Sequence, residues 1–159
     1  MEKAAFSHVL IIALFAAGPA WAMSDTGSGS SAAPADPAME KATAAVAAQD
    51  WPRAQEALRE ALAKNPQSAD THNLYAYSLR KGANPSMDLV FRHYNEALRL
   101  DPRHRGAHEY IGEAYLTAGN LAKAKEHLGQ LDRLCAFGCQ EYTRLKKAVA
   151  DYEQQQAKK

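Results

Sequence analysis

The chain of 159 residues contains only two cysteines, and both lie in the stretch LDRLCAFGCQEY, where Cys135 and Cys139 are four residues apart. This spacing is neither the C-x-x-C of common redox centres nor the C-x-x-C-H of covalent haem attachment, so the pattern excludes a covalently bound haem. Whether the two thiols hold a metal, carry out redox chemistry or form a structural disulfide depends on the compartment and on the fold around them.

Recognisable catalytic and nucleic-acid-binding patterns are also missing. The sequence has no Gly-rich phosphate loop, no nucleophile in a known turn motif and no carboxylate pair of defined geometry, so we expect neither an enzyme nor a cofactor. Its 19 basic and 18 acidic residues give a net charge of +1, and the basic residues are spread along the chain. Without a basic stripe and interleaved aromatic residues, a nucleic-acid partner is not expected.

The first residues have the pattern of a secretory signal peptide. Lys3 precedes an apolar run over residues 9–17, and Ala-Trp-Ala at 20–22 is a small-x-small cleavage site. We expect a signal peptide over residues 1–22, cleavage after Ala22 and a periplasmic protein without stable membrane insertion; the alternative is an uncleaved N-terminal anchor. Residues 23–37 contain the stretch SDTGSGSSAAPADP, which lacks large apolar side chains and is predicted to be a flexible linker.

The remainder of the chain shows no alternation typical of a strand, and its apolar residues recur at helical spacing. The predicted helices are similar to one another: Ala54, Val90 and Ala124 align, and Pro66 and Pro102, which end two helices, are 36 residues apart. Small residues such as Gly112 are expected to let two helices approach closely. The sequence therefore predicts successive helical hairpins.

Four short motifs carry a family resemblance. They are I-G-E-A-Y at 111–115, G-N at 119–120, E-A-L-A-K-N-P at 60–66 and E-A-L-R-L-D-P at 96–102. The chain resembles the tetratricopeptide repeat (TPR) family. The resemblance implies an all-α, right-handed solenoid of three repeats within 38–138, with a concave groove. The expected segments are repeats at 35–68, 69–104 and 105–138, a C-terminal capping helix at 139–156 and a frayed tail at 157–159.

In this framework the two cysteines flank the corner between the third repeat and the capping helix, and Gly138 is expected to adopt a positive φ there. In an exported protein they should be oxidised, so we predict a disulfide between Cys135 and Cys139. The alternatives are a metal or redox site and free thiols. A similar C-x3-C motif binds copper in some exported assembly factors, but those have a thioredoxin-like fold, and no βαβ pattern occurs here.

The histidines permit a second metal hypothesis. His104 and His108 are four residues apart with Asp101 nearby, and on one helical face they could share a metal ion. No third ligand has a certain position, so we predict no metal site and two surface histidines. His72 and His108 occupy matching positions in successive repeats, where a partly buried packing role is expected.

The family resemblance also implies which residues line the groove. Its positions fall on alternate residues of each repeat's first helix, which we expect to be exposed. The predicted peptide-groove residues are Asn73, Tyr77, Arg80, Lys81, Glu109, Glu113 and Leu116, with Met39 and Thr43 in the first repeat.

Family members that clamp a C-terminal carboxylate use basic residues where this chain has Glu109 and Glu113. We therefore expect a mixed-charge or basic peptide and not a chaperone tail. The predicted function is a non-catalytic periplasmic interaction module that binds a peptide segment of another exported or membrane protein. The alternative is a metal-handling or thiol-redox protein that uses Cys135 and Cys139.

Overall fold

The computed structural model describes residues 36–158, and within them every regular element is an α-helix. The predicted signal peptide and most of the predicted linker lie outside the described residues. The seven helices are α1 (Pro37–Ala47), α2 (Trp51–Lys64), α3 (Ala69–Lys81), α4 (Met87–Leu100), α5 (Arg105–Thr117), α6 (Leu121–Leu134) and α7 (Gln140–Gln156). Among them, no helix is both long and apolar enough to cross a membrane.

Local sequence signals fix where most helices begin. The side chains of Asp50, Ser68 and Asn120 each accept a hydrogen bond from the backbone N–H three residues later, which satisfies one free donor at the start of α2, α3 and α6. Three turns have left-handed backbone: Gln49 has φ 56° between α1 and α2, Gly119 has φ 78° between α5 and α6, and Gly138 has φ 84° before α7. The prediction for Gly138 is therefore confirmed.

The helices pack as three hairpins, α1 with α2, α3 with α4 and α5 with α6, and each hairpin also contacts the next. Three apolar clusters lie along the stack. They are centred on Leu58 in the first hairpin, on Tyr94 and Ile111 between the second and third, and on Leu131 and Leu145 at the C-terminal end. The predicted all-α architecture of three TPR-like hairpins followed by a final helix is confirmed.

Helix α7 covers the apolar end of the third hairpin. Its Leu145 and Val149 are buried against Leu116 of α5 and Leu131 of α6. Gly112 allows the close approach, because a Cβ atom at this position would lie 2.6 Å from one Leu145 methyl carbon and 2.8 Å from the other. The small residue predicted to permit close helix packing therefore accommodates α7 in particular.

Candidate functional site

Three helices lie side by side: α3 and α5, which are the first helices of the second and third hairpins, and the last helix, α7. Helix α5 contacts both of the others. Three aromatic residues meet on this side of the stack. The Tyr77 ring of α3 lies 4.6 Å from the Tyr110 ring of α5 and 5.9 Å from the Trp51 ring at the start of α2, measured between ring centroids. We call these three residues the aromatic surface. All three are only partly buried.

Two cations lie over Tyr77. The Arg80 guanidinium carbon and the Lys81 ammonium nitrogen are each 5.7 Å from the centre of its ring, a distance at which a cation is attracted to the negative face of an aromatic ring. Lys81 is exposed. The aromatic surface thus combines apolar rings with one solvent-accessible positive charge.

Arg80 also connects α3 to α5. Its Nη2 donates to Oε2 of Glu113 at 2.7 Å, and the Arg80 side chain is 9% exposed. The Tyr94 hydroxyl from α4 lies close enough to act on the charge of Arg80, and burial raises the pKa of that hydroxyl. Arg80 and Glu113 were predicted as groove residues of different helices, and the structure brings them into one ion pair.

A second ion pair connects α5 to α7. The Arg144 guanidinium donates to both carboxylate oxygens of Glu109, at 2.5 and 2.7 Å. Glu109 is 1% exposed. Burial raises the pKa of the Glu109 carboxyl, while the Arg144 guanidinium acts in the opposite direction. The pair therefore gives a buried carboxylate the compensating charge that it needs.

The expectation that the groove positions are exposed is wrong for most of them, and of the seven predicted residues of the second and third repeats only Lys81 is exposed. Asn73, Glu109 and Leu116 are buried, whereas Tyr77, Arg80 and Glu113 are partly buried. Glu109 is covered by Arg144 of α7, and Leu116 belongs to the apolar cluster beneath α7. The neighbouring helix covers these residues, and a family position carries no information about that neighbour. In the first repeat Thr43 is exposed, whereas Met39 is partly buried and accepts a hydrogen bond from the Thr71 hydroxyl.

Three buried polar atoms near this surface make no hydrogen bond of ordinary geometry among the described residues. Two of them, Nε of Arg80 and the hydroxyl oxygen of Tyr94, belong to side chains that lie against each other, and the third is Oδ1 of Asn73. Asn73, Tyr77 and Arg80 are four and three residues apart on α3, so they share one face of that helix. A buried polar group without a partner costs free energy, and Oδ1 of Asn73 is such a group on the face of α3 that carries Tyr77.

A model of the tetratricopeptide repeat family matches residues 39–85 and 92–130. The chain belongs to this family. No curated protein sequence matches it. Among solved structures, a TPR2B-domain:pHsp70 complex of yeast Sti1 is similar with TM-score 0.67 and 22% identity over 74% of this chain and 94% of that one. The Yersinia enterocolitica type III secretion translocator chaperone SycD is similar with TM-score 0.66 and 14% identity over 76% and 83% of the two chains.

The two cysteines of this TPR protein form a disulfide, with Cα atoms 5.6 Å apart. Cys135 is the residue at which α6 ends, and Cys139 is the residue at which α7 begins; its sulfur accepts a hydrogen bond from the Tyr142 N–H. The bond therefore joins the last TPR hairpin to α7, at the corner where the sequence predicted it.

The prediction that His104 and His108 are surface residues is wrong. The His104 side chain is 13% exposed, accepts a hydrogen bond from the Ala107 N–H at the start of α5 and approaches Asp70 at 3.0 Å. His108 is 6% exposed and His72 is 9% exposed, so the matching histidines, which were expected to be partly buried, are almost completely buried. Within residues 36–158, no three His, Cys, Asp or Glu side chains form a potential metal-binding group.

Sequence reasoning missed three features of the site. Trp51 joins the aromatic surface from the second helix of its hairpin, Arg144 reaches Glu109 from α7, and His72 and His108 each meet a second histidine. Only the histidines had a sequence signal, because both members of the pair recur about one repeat later in the chain.

Proposed function

We propose that this TPR protein is a non-catalytic interaction module that binds an extended peptide segment of a partner protein across the aromatic surface. The observation that carries the proposal is the row Asn73, Tyr77 and Arg80 on one face of α3, where a half-buried ring with a cation over it accompanies a buried Asn73 oxygen that has no partner in the described part of the chain. A peptide main chain offers an N–H donor for Asn73 Oδ1.

The charges nearby narrow the ligand class. Glu109 and Glu113 were expected to favour a basic or mixed-charge peptide, but each already pairs with an arginine of the same domain. The features that remain accessible to a ligand are the partly buried rings of the aromatic surface and the exposed Lys81 side chain. These favour an aromatic or proline side chain packed on Tyr77, with a carboxylate next to it that can approach Lys81.

The relatives of similar fold are compatible with a protein partner, since one is a complex with pHsp70 and the other is a secretion translocator chaperone. We further infer from the N-terminal residues that the protein is exported to a bacterial periplasm, where its partner would be another exported or membrane protein. Because Cys135 and Cys139 are bonded to each other, they offer no free thiolate to a metal ion, and we prefer the interaction module to the alternative of a metal-handling protein.

Selection from a random peptide library, followed by affinity measurements on the enriched peptides, tests the binding proposal. We expect Tyr77→Ala and Asn73→Ala to weaken binding at least tenfold. Phe137→Ala is the matched control, because Phe137 is a fully exposed aromatic residue in the turn before α7. Enriched peptides that bind all three variants equally would exclude the aromatic surface as the binding site. Thermal unfolding of each variant separates lost binding from lost folding.

Fractionation of the native host, with mass spectrometry of the intact protein, tests export separately. The expected species starts at Met23 and is found in the periplasmic fraction. A full-length chain in the cytoplasmic fraction would refute export without affecting the binding proposal.

A further inference from the structure

Two histidine pairs join the helices of the second and third hairpins. Nδ1 of His72 on α3 lies 2.9 Å from Nδ1 of His93 on α4. Nδ1 of His108 on α5 lies 3.0 Å from Nδ1 of His127 on α6. The ring centroids are 5.1 and 5.3 Å apart, so in each pair the two nitrogens lie between the rings and face each other. The same contact thus occurs in two successive repeats.

The other ring nitrogen of the first histidine fixes where the protons are. Nε2 of His72 lies 3.0 Å from the Pro66 carbonyl oxygen, and Nε2 of His108 lies 3.1 Å from the Pro102 carbonyl oxygen. A carbonyl only accepts, so each Nε2 must carry a hydrogen. A neutral ring of this tautomer has an unprotonated Nδ1, which accepts from the Nδ1–H of its partner. Each neutral pair therefore has one proton between its two Nδ1 atoms.

Acid breaks this arrangement when it protonates both rings. Both Nδ1 atoms would then carry a hydrogen, and two donors cannot face each other at 2.9 or 3.0 Å. The two imidazolium rings would also repel each other. Neighbouring rings limit the access of water, because Tyr75 packs edge-on against His93 and Tyr115 stacks on His127. Burial, followed by the partner histidine, lowers the pKa of His93 to about 4 and that of His127 to about 4.

The other charged groups that act on His93 lie on its own helix, α4. Arg92 lowers the pKa of His93, whereas Glu96 raises it. Helix α5, which packs against both α3 and α4, provides none of the largest influences on His93.

Around the second pair, Lys123 lowers the pKa of His127 and Glu126 raises it, and both residues lie on α6. Burial lowers the pKa of His108; the Pro102 carbonyl and Asp101 oppose this effect, while His104 and Arg133 add to it. Helix α7 packs against both α5 and α6 but provides none of the largest influences on His108 or His127.

We propose that the two histidine pairs are acid-sensitive contacts that hold α3 to α4 and α5 to α6 at neutral pH and separate when both rings of a pair are protonated. The sign follows from proton counting. Between about pH 6.5 and about pH 4, His93 and His127 bind protons in the unfolded chain that they do not bind in the folded protein, so the free energy of unfolding decreases as the pH falls through this window. Above it the contribution of the pairs is intact.

The pH dependence of urea unfolding tests the proposal on the purified protein. Near pH 5.5, each unit by which the pH is lowered should raise the decimal logarithm of the unfolding constant. This increase should be larger by about two in the wild type than in the variant His93→Gln/His127→Gln. Glutamine can donate to Nδ1 of His72 or His108 but does not titrate. His104→Asn is the matched control, because it removes a histidine outside the pairs and keeps a side chain that can start α5. The control should retain the wild-type slope.

Long-range ¹H–¹⁵N NMR spectra of the wild type provide a readout that does not depend on the folding of any variant. We expect the Nε2–H tautomer at His72 and His108 and the Nδ1–H tautomer at His93 and His127. The opposite tautomer at His93 and His127 would overturn the proposal. It would also be overturned if the double variant kept the wild-type slope, or if the wild type bound stoichiometric Zn²⁺ that the double variant did not bind.

Discussion

Gly112 offers the sharpest test of how the third hairpin holds the final helix. A Cβ atom at this position would lie 2.6 and 2.8 Å from the two methyl carbons of Leu145, distances that require some atom to move. Leu145 is completely buried, so its side chain cannot turn into solvent. We therefore expect Gly112→Ala to destabilise the protein, although alanine is normally the better helix former.

Two opposing contributions set the magnitude. Replacing glycine by alanine inside a helix is favourable by about 1 kcal/mol. Overpacking a well-packed core costs about 1–3 kcal/mol, and contacts this short with a fully buried partner place the cost near the upper end. The net expectation is a loss of about 1–2 kcal/mol in the free energy of unfolding. Urea denaturation followed by circular dichroism measures it.

Gly129 on α6 is the matched control. A Cβ atom there has only Arg133 within reach, at 4.0 Å, so Gly129→Ala should show the helix-propensity gain alone and stabilise the protein.

A double-mutant cycle with Leu145→Ala decides whether the clash is the cause. Leu145→Ala alone should cost about 2–5 kcal/mol through the cavity that it leaves. Once Leu145 is shortened, the alanine at position 112 meets no methyl group, and Gly112→Ala should become stabilising. If Gly112→Ala were equally destabilising with leucine and with alanine at position 145, the close contact of α5 with α7 would not be the reason.

Two further predictions concern the attachment of α7. Replacing Cys135 and Cys139 by serine should lower the free energy of unfolding by about 2 kcal/mol, because the short loop is no longer closed in the unfolded chain; a urea midpoint unchanged by both the substitution and a reductant would contradict this. Arg144→Ala should cost about 1–3 kcal/mol, because it leaves the Glu109 carboxylate buried without its cation. Glu109→Gln/Arg144→Ala should recover part of that loss in thermal denaturation, and equal melting temperatures of the two variants would refute the explanation.

The sequence predicted the hairpins well because helix periodicity and helix ends are local properties. The second helices of the three hairpins carry equivalent apolar residues, Ala54, Val90 and Ala124. All three are completely buried in the structure. Gly138 follows a helix end and has the positive φ that such a turn requires. These features depend on residues a few positions apart, so they can be inferred without knowledge of the neighbouring helices.

The candidate site was predicted less completely. Tyr77 and Arg80 do lie where two first helices meet, but their partners Tyr110 and Glu113 lie a whole repeat further along the chain. Asn73 was expected on the surface and is buried. The exposure of a side chain depends on the helix beside it, and a single family position does not specify that helix.

The sequence by itself determined the number of helices after the linker, their pairing into repeats and the corner that the cysteines join, because each depends on short-range spacing. Only the tertiary structure decided that Arg144 pairs with Glu109 and that Nδ1 of His72 and of His108 each faces Nδ1 of another histidine. Those contacts depend on distances of about 3 Å between side chains of different helices. Such distances are set by how closely the helices pack, which the periodicity of one helix does not encode.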